Sequence, residues 1–146
     1  MNHRTLAAVA LSLTAPLLLT PIGCARSTAF TQSATYPGGY QKLEPSNIQI
    51  FRSGKTIILT NTTATSFGQS TIWLNQWFAR DIEGLAVGQT KELALSSFKD
   101  EFGDEFRGGG FFAAREPDRI VLAELEIDTD AGWVLLPLIV VGQRED

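Results

Sequence analysis

Short runs in which apolar and polar residues alternate dominate the chain after residue 46. In the first, Ile48 and Ile50 alternate with polar neighbours, and a β-branched run over 56–61 follows a Ser-Gly turn. A period of two is typical of strands with one buried face, and a tight turn between two such runs predicts a hairpin. We expect Ile57 and Leu59 to face the core of this hairpin and the residue between them to face away.

The longest mixed run that follows has Ile72 and Leu74 on one face and Trp73 on the other. Trp77 and Phe78 are adjacent, so no single strand parity buries both. Either a bulge shifts the register there, or one of the two aromatic residues is exposed. The run as a whole predicts one strand that ends at an Arg-Asp-Ile-Glu-Gly sequence.

A corner then joins this strand to the next. Leu85 and Gly88 form a Leu-x-x-Gly sequence, and Leu93 and Leu95 alternate with polar residues after it. Gly88 suits a turn position with a left-handed backbone, which a residue with a Cβ occupies at a cost. The pattern resembles the strand-to-strand corner of bacterial immunoglobulin-like and fibronectin type III-like domains, including small envelope modules of the FxLYD type. The Phe-x-Leu-Tyr-Asp signature and an intersheet cysteine pair are absent.

The C-terminal part supplies two further strands. Residues 120–127 alternate, with Val121 on the predicted inner face, and 133–141 is nearly all apolar, as in a strand covered on both sides. Pro137 lacks a ladder donor and is expected at an edge or a bulge. About seven short strands with no helical period predict an all-β protein. Together with the resemblance, they indicate an immunoglobulin-like antiparallel β-sandwich over 47–142.

The N-terminus has the features of an export signal. In 1–23, a basic start at Arg4 precedes an apolar stretch too short and interrupted for a good membrane-spanning helix. The stretch ends in Pro-Ile-Gly before Cys24, which resembles the signal of bacterial lipoproteins, although their usual Leu is replaced by Pro. The resemblance implies that Cys24 is lipidated and that the protein is held in the cell envelope, periplasmic or at the surface. The alternative is cleavage near Ala29 or Ala34 and secretion as a soluble protein.

Two segments flank the predicted domain. Residues 24–46 are rich in Ser, Thr, Gln, Gly and Pro and show no sustained period, which predicts a flexible tether. A Tyr-Pro-Gly-Gly-Tyr cluster over 36–40 predicts a turn lying loosely on the domain. Residues 143–146 form a charged tail.

Charge limits the classes of partner. All 16 acidic residues but only 11 of the 12 basic ones follow Gly23, so the chain from Cys24 carries 11 − 16 = −5. No basic stripe is present to displace counterions from phosphates, so we expect no nucleic-acid binding. Charge alone also gives no reason to expect adhesion to anionic lipid.

The available side chains also limit the chemistry. The single histidine is His3 and the single cysteine is Cys24, so the predicted domain has neither. This excludes Ser-His-Asp and Cys-His nucleophiles and His- or Cys-ligated metals inside it. Carboxylates in the acidic loop 99–106 could offer oxygens to calcium, but their spacing matches no loop signature. We expect no enzyme activity, no cofactor and no metal.

Two functions remain open from the sequence. The first is an exported, lipid-anchored, non-enzymatic module that binds or supports another envelope component. The second is a carbohydrate-binding or adhesion module in which Trp73 and Trp77 form an exposed stacking platform. We expect at least two of the three tryptophans to lie in the core, which would favour the first function. A shared outward face for Trp73 and Trp77 would favour the second.

Overall fold

The computed structural model describes residues 34–110 and 114–142. Signal, lipidation and tail predictions at 1–23, Cys24 and 143–146 lie outside the described residues. Within the described part, the chain forms nine strands and one 3₁₀ turn. The strands are β1 (Gln41–Lys42), β2 (Ile48–Ser53), β3 (Thr56–Asn61), β4 (Ser70–Leu74), β5 (Phe78–Ile82), β6 (Thr90–Ala94), β7 (Ala123–Thr129), β8 (Gly132–Pro137) and β9 (Ile139–Val141).

The strands form two sheets packed face to face, which confirms the all-β sandwich. One sheet has the order β1-β8-β7-β4-β5 and the other has the order β6-β3-β2-β9. Most neighbours are antiparallel, but β1 pairs with β8 and β2 pairs with β9 in parallel. The sandwich differs from the predicted antiparallel one of about seven strands in these two parallel pairings and in having nine strands in the described residues.

The core lies between the sheets. The β2–β3 hairpin forms as predicted, with Ile57 and Leu59 fully buried and a positive φ of 54° at Gly54 in its turn. Facing them from the five-stranded sheet are the inward residues of β4 and β7. These buried residues include Ile72, Leu74, Ala123, Leu125 and Ile127.

The run through Trp77 is a hairpin and not the single strand predicted. Asn75 and Gln76 have φ values of 55° and 59°, and the Trp77 N–H donates to the Leu74 carbonyl. Two successive positive φ angles are typical of type I′ turns, whose twist matches that of paired strands. The exposed-residue alternative holds here: Trp77 stands half-exposed, while Phe78 packs against the core.

The Leu-x-x-Gly corner carries the chain from β5 in one sheet to β6 in the other. Leu85 is fully buried and exchanges two backbone hydrogen bonds with Phe67. Gly88 has a φ of 71°, as its sequence position predicted. The buried Asn61 side chain donates to the carbonyl groups of Leu85 and Ala86, which fixes the crossing.

Two predictions for the C-terminal part need correction. The apolar run over 133–141 is two strands in different sheets, because β8 ends at Pro137 and the chain crosses at the buried Leu138 to β9. Val121 is exposed, because β7 starts only at Ala123. The Val121 N–H instead donates to the Asn75 side chain, so the segment before β7 wraps the β4–β5 turn.

The flexible-tether prediction is wrong for 34–46, which we name the N-terminal strap. The strap contains β1, whose register places Gln41 beside Val134 and Lys42 beside Leu135. Backbone bonds from Leu43 and Ser46 to the five-stranded sheet extend the attachment. The polar composition hid this segment because β1 is only two residues long and both are exposed.

Candidate functional site

The strap covers part of the outer face of the five-stranded sheet. Trp73 points to this face yet is only 2% exposed, because the Tyr36 ring packs edge-on against it with centroids 5.4 Å apart. The Trp73 indole N–H donates to Glu126 Oε2 at 2.7 Å. Trp73 is therefore a buried residue with a satisfied polar group, as large amphipathic rings usually require.

A buried carboxylate holds the strap in place. Glu124 is 1% exposed and receives the Tyr36 hydroxyl at 2.7 Å on one oxygen and the Lys42 ammonium at 2.7 Å on the other. Burial, and then the bond to Glu124, raises the pKa of Tyr36. The hydrogen bond to Glu124 raises the pKa of Lys42. A buried carboxylate needs such partners, because an unpaired charge away from water is costly.

Trp77 belongs to a different surface, at the end of the sandwich. It is 49% exposed and its ring lies 6.5 Å from that of Phe102, which is 75% exposed. The platform of Trp73 and Trp77 considered from sequence is therefore wrong, because only Trp77 of the two is open to solvent. The expected burial of at least two of the three tryptophans is also wrong, because Trp133 is 48% exposed. We call the pair Trp77 and Phe102 the aromatic tip.

Asp100 shapes the loop that presents Phe102. Its carboxylate accepts the N–H groups of Phe102 at 2.9 Å and Asp104 at 2.8 Å, and the Trp77 indole N–H at 3.2 Å. Burial alone would raise the pKa of Asp100, but these bonds, that from Asp104 first, outweigh it and lower the pKa. The carboxylate that sequence reasoning offered to calcium is thus used inside the loop. Among 34–110 and 114–142, no group of three or more potential ligands is arranged to hold a metal ion.

Beside the strap, the outer face of the five-stranded sheet is open. A groove of about 880 Å³ lies there, lined by hydroxyl, amide and carboxylate side chains with Trp133 among them. The strand register places Thr71 of β4 beside Asp81 of β5 and Glu126 of β7, and these residues form the floor of the groove. The Thr71 hydroxyl donates to Asp81 at 2.6 Å.

Sequence reasoning missed this groove. Trp133 was expected in a covered strand, but it is 48% exposed and faces Asp128 across the β7–β8 ladder. The only sequence signal was the outward parity of Glu126 on an alternating strand. That parity shows on which face of the sheet Glu126 lies but not which residues of other strands lie beside it. The groove could therefore not be predicted without the strand order.

A smaller cavity of about 560 Å³ borders the run of three glycines at 108–110. Lys55, Arg107 and Arg115 are among its lining residues. Arg107 is already paired with Asp118 at 2.8 Å. Gly109 has a φ of 74°, and a Cβ there would meet Pro117 at 2.9 Å, so this glycine serves the close approach of two loop segments.

Comparisons of the chain with protein-family models, curated proteins and solved structures find no match. No helix long and apolar enough to cross a membrane occurs in the described ranges.

Proposed function

We propose that the protein is an exported, lipid-anchored, non-enzymatic immunoglobulin-like module that binds another component of the cell envelope. The groove beside the strap carries this proposal. It is concave, preformed and lined by side chains that form hydrogen bonds, which are the usual properties of a binding site. The lipoprotein-like sequence before Cys24 supports the location.

The charge of the groove favours a basic segment of an envelope protein as its ligand. Asp81, Glu126 and Asp128 line it, and no Lys or Arg among residues 34–110 and 114–142 does. Two of these carboxylates accept one side-chain bond each, from Thr71 and from Trp73. Each carboxylate oxygen pair has about four acceptor positions, so capacity remains for ammonium or guanidinium donors. The half-exposed Trp133 adds a ring face for a cation.

A second candidate is a glycan, and Trp133 is the observation that favours it. A half-exposed indole can bind the apolar face of a sugar ring, and the carboxylates and threonine hydroxyls beside it can accept hydrogen bonds from the sugar hydroxyl groups. This keeps the carbohydrate hypothesis but transfers it from Trp73 and Trp77 to another tryptophan.

Salt dependence separates the two ligands. Octalysine should quench Trp133 emission, and its affinity should fall at least about tenfold between 50 and 500 mM salt, because screening weakens exposed charge pairs. Asp81→Asn and Asp128→Asn should weaken it further. Binding of N-acetylglucosamine oligomers that salt leaves unchanged would favour the glycan. Trp77→Phe is the matched control, since Trp77 is equally exposed but outside the groove.

Cells provide the decisive test of the envelope role. A photo-crosslinking residue at position 133 should capture one defined partner in intact envelopes, and the same residue at the exposed Val87 should not. Intact-mass analysis should find acylated Cys24 as the first residue. A chain cleaved elsewhere contradicts the anchor, and a hydrolase activity lost in Glu126→Gln contradicts the non-enzymatic assignment.

A further inference from the structure

The aromatic tip leaves two large apolar rings in water at one end of the sandwich. Phe102 is more exposed than any other large hydrophobic residue in the described ranges, and Trp77 lies beside it. The surrounding loops are fixed: Asp100 ties Phe102 to Trp77, and Asn75 bonds to the carbonyl of Arg119 at 2.7 Å. An aromatic pair held out by a satisfied hydrogen-bond network indicates a contact surface.

The strap reaches this tip directly. Thr35 Oγ1 donates to Glu101 at 3.2 Å, and Gln76 donates to the Tyr36 hydroxyl at 3.2 Å. Glu101 precedes Phe102 and Gln76 precedes Trp77, so the first described residues contact both loops that carry the tip. The chain therefore enters the domain at the aromatic end.

The distance to the candidate anchor is short. Ala34 follows Cys24 by ten residues, and ten residues span at most about 35 Å when fully extended. Because the strap is bound to the sheet, this length is the greatest distance by which Cys24 can be separated from the start of the strap at Ala34. A lipid on Cys24 would hold the tip close to the bilayer surface and give it a high effective concentration there.

We propose that Trp77 and Phe102 insert into the surface of the bilayer that holds the anchor. This inference rests on the proposed lipidation of Cys24. Trp is enriched at membrane interfaces, where its ring lies among apolar groups and its N–H stays hydrated, and a second contact supplements a lipid chain. Insertion would orient the sandwich with the aromatic end towards the membrane.

Charge specifies the kind of surface. The loop 99–106, which carries Phe102, contains the Lys99–Glu105 ion pair and Asp100, whose carboxylate is hydrogen-bonded within the loop. The chain from Cys24 has a net charge of −5. An acidic module is repelled by anionic headgroups over about a Debye length. The tip should therefore prefer zwitterionic phosphatidylcholine to phosphatidylglycerol, and added salt should reduce the difference.

The test uses the chain from Cys24 to Asp146, which holds every described contact. Its single thiol is coupled to maleimide lipid in phosphatidylcholine vesicles, so the result does not depend on whether a cell acylates Cys24. Bromines on the acyl chains should quench total emission by up to about a third, the share of one tryptophan among three of equal emission. Trp77→Phe should abolish this quenching, Phe102→Ser should reduce it, and Trp133→Phe, which is equally exposed, should retain it.

Three results would overturn the inference. They are an absence of quenching in coupled wild-type protein, quenching that persists in Trp77→Phe, and sedimentation of the uncoupled chain as a dimer that Phe102→Ser dissociates. The last result would assign the tip to a second copy of the chain. Unchanged denaturation midpoints of the variants show that they fold. Intact mass from cells tests acylation separately, so failure of the anchor and failure of the tip are distinguishable.

Discussion

Two tryptophans four residues apart differ in almost every respect. Trp73 lies in β4 under the strap, and Trp77 lies in the turn that follows, open to solvent. Each indole N–H donates to a carboxylate, of Glu126 for the first and Asp100 for the second. Both tryptophans therefore make the same kind of hydrogen bond. They differ because the strap, which is distant in sequence, covers Trp73 and leaves Trp77 exposed.

The comparison shows what makes an outward-facing residue part of the core. Trp73 is on the solvent side of its sheet by parity, and Tyr36 and Ala34 make this side into a small second core with Leu135. Within the part of the chain that the structure describes, no equivalent segment covers Trp77, which is 49% exposed. We therefore expect the covered face to contribute stability, and we propose binding only for the open tip and groove.

The largest expected effect is on the covered tryptophan. Trp73→Ala should lower the free energy of unfolding by about 3–5 kcal/mol, as for other buried aromatic truncations. Trp77→Ala should cost less than about 1 kcal/mol, because half of its surface is already in water. Urea denaturation of both variants measures the difference. Equal losses would show that the strap does not bury Trp73 in solution.

The next effect concerns the ion pair under the strap. Lys42→Ala leaves the buried Glu124 with Tyr36 as its remaining partner and should cost about 1–2 kcal/mol, discounted because Lys42 is partly exposed. Lys91→Ala is the control, since Lys91 makes no ion pair within 34–110 and 114–142. Glu124→Gln in the Lys42→Ala background should recover part of the loss. A cost equal to that of the control contradicts the role of Lys42.

Alkaline pH should weaken the same contact. The pKa values of Lys42 and Tyr36 are raised in the folded protein, so their contribution is complete below their ordinary values of about 10. This contribution is lost as pH rises through the raised pKa values of the folded protein. The loss in the free energy of unfolding should not exceed that caused by Lys42→Ala. Urea denaturation at a series of pH values between 9 and 12 measures this loss as a fall in the free energy of unfolding. Glu124→Gln should flatten the dependence, and an unchanged slope in that variant would contradict the assignment.

Acid should affect the tip in the opposite direction. The pKa of Asp100 is lowered by its bonds to Asp104, Phe102 and Trp77, so its contribution is present above its ordinary value. It is lost as pH falls through the lower folded value. As pH falls below the ordinary pKa of an aspartate, Trp77 emission should change before that of Trp73, a small local effect. A Trp133→Phe background isolates the signal, and simultaneous changes would contradict a local origin.

The sequence alone predicted the elements that local patterns specify. The β2–β3 hairpin follows from alternation around a Ser-Gly turn, and the corner at Gly88 follows from a glycine in a left-handed position. It missed the break at Asn75, because asparagine tolerates a positive φ without requiring it. It also missed the crossing at Leu138. An apolar run that forms one strand has the same sequence pattern as an apolar run that is divided between strands of two sheets.

The candidate site was harder to predict than the fold. The sequence named Trp73 and Trp77 as residues able to stack but gave no information on the segment that covers one of them. Coverage depends on a bond between Tyr36 and Glu124, which are 88 positions apart. The groove at Trp133 likewise depends on strand order, which brings β4, β5 and β7 side by side.

The sequence by itself determined an all-β protein, its acidic charge and the absence of histidine and cysteine after Cys24, because composition and period two are properties of neighbouring residues. Only the tertiary structure decided which outward-facing residues are buried, which are open and where the chain enters the domain. Burial is a property of surfaces that meet across long sequence separations. The sequence specifies the residues of each surface but does not show which surfaces meet in the folded protein.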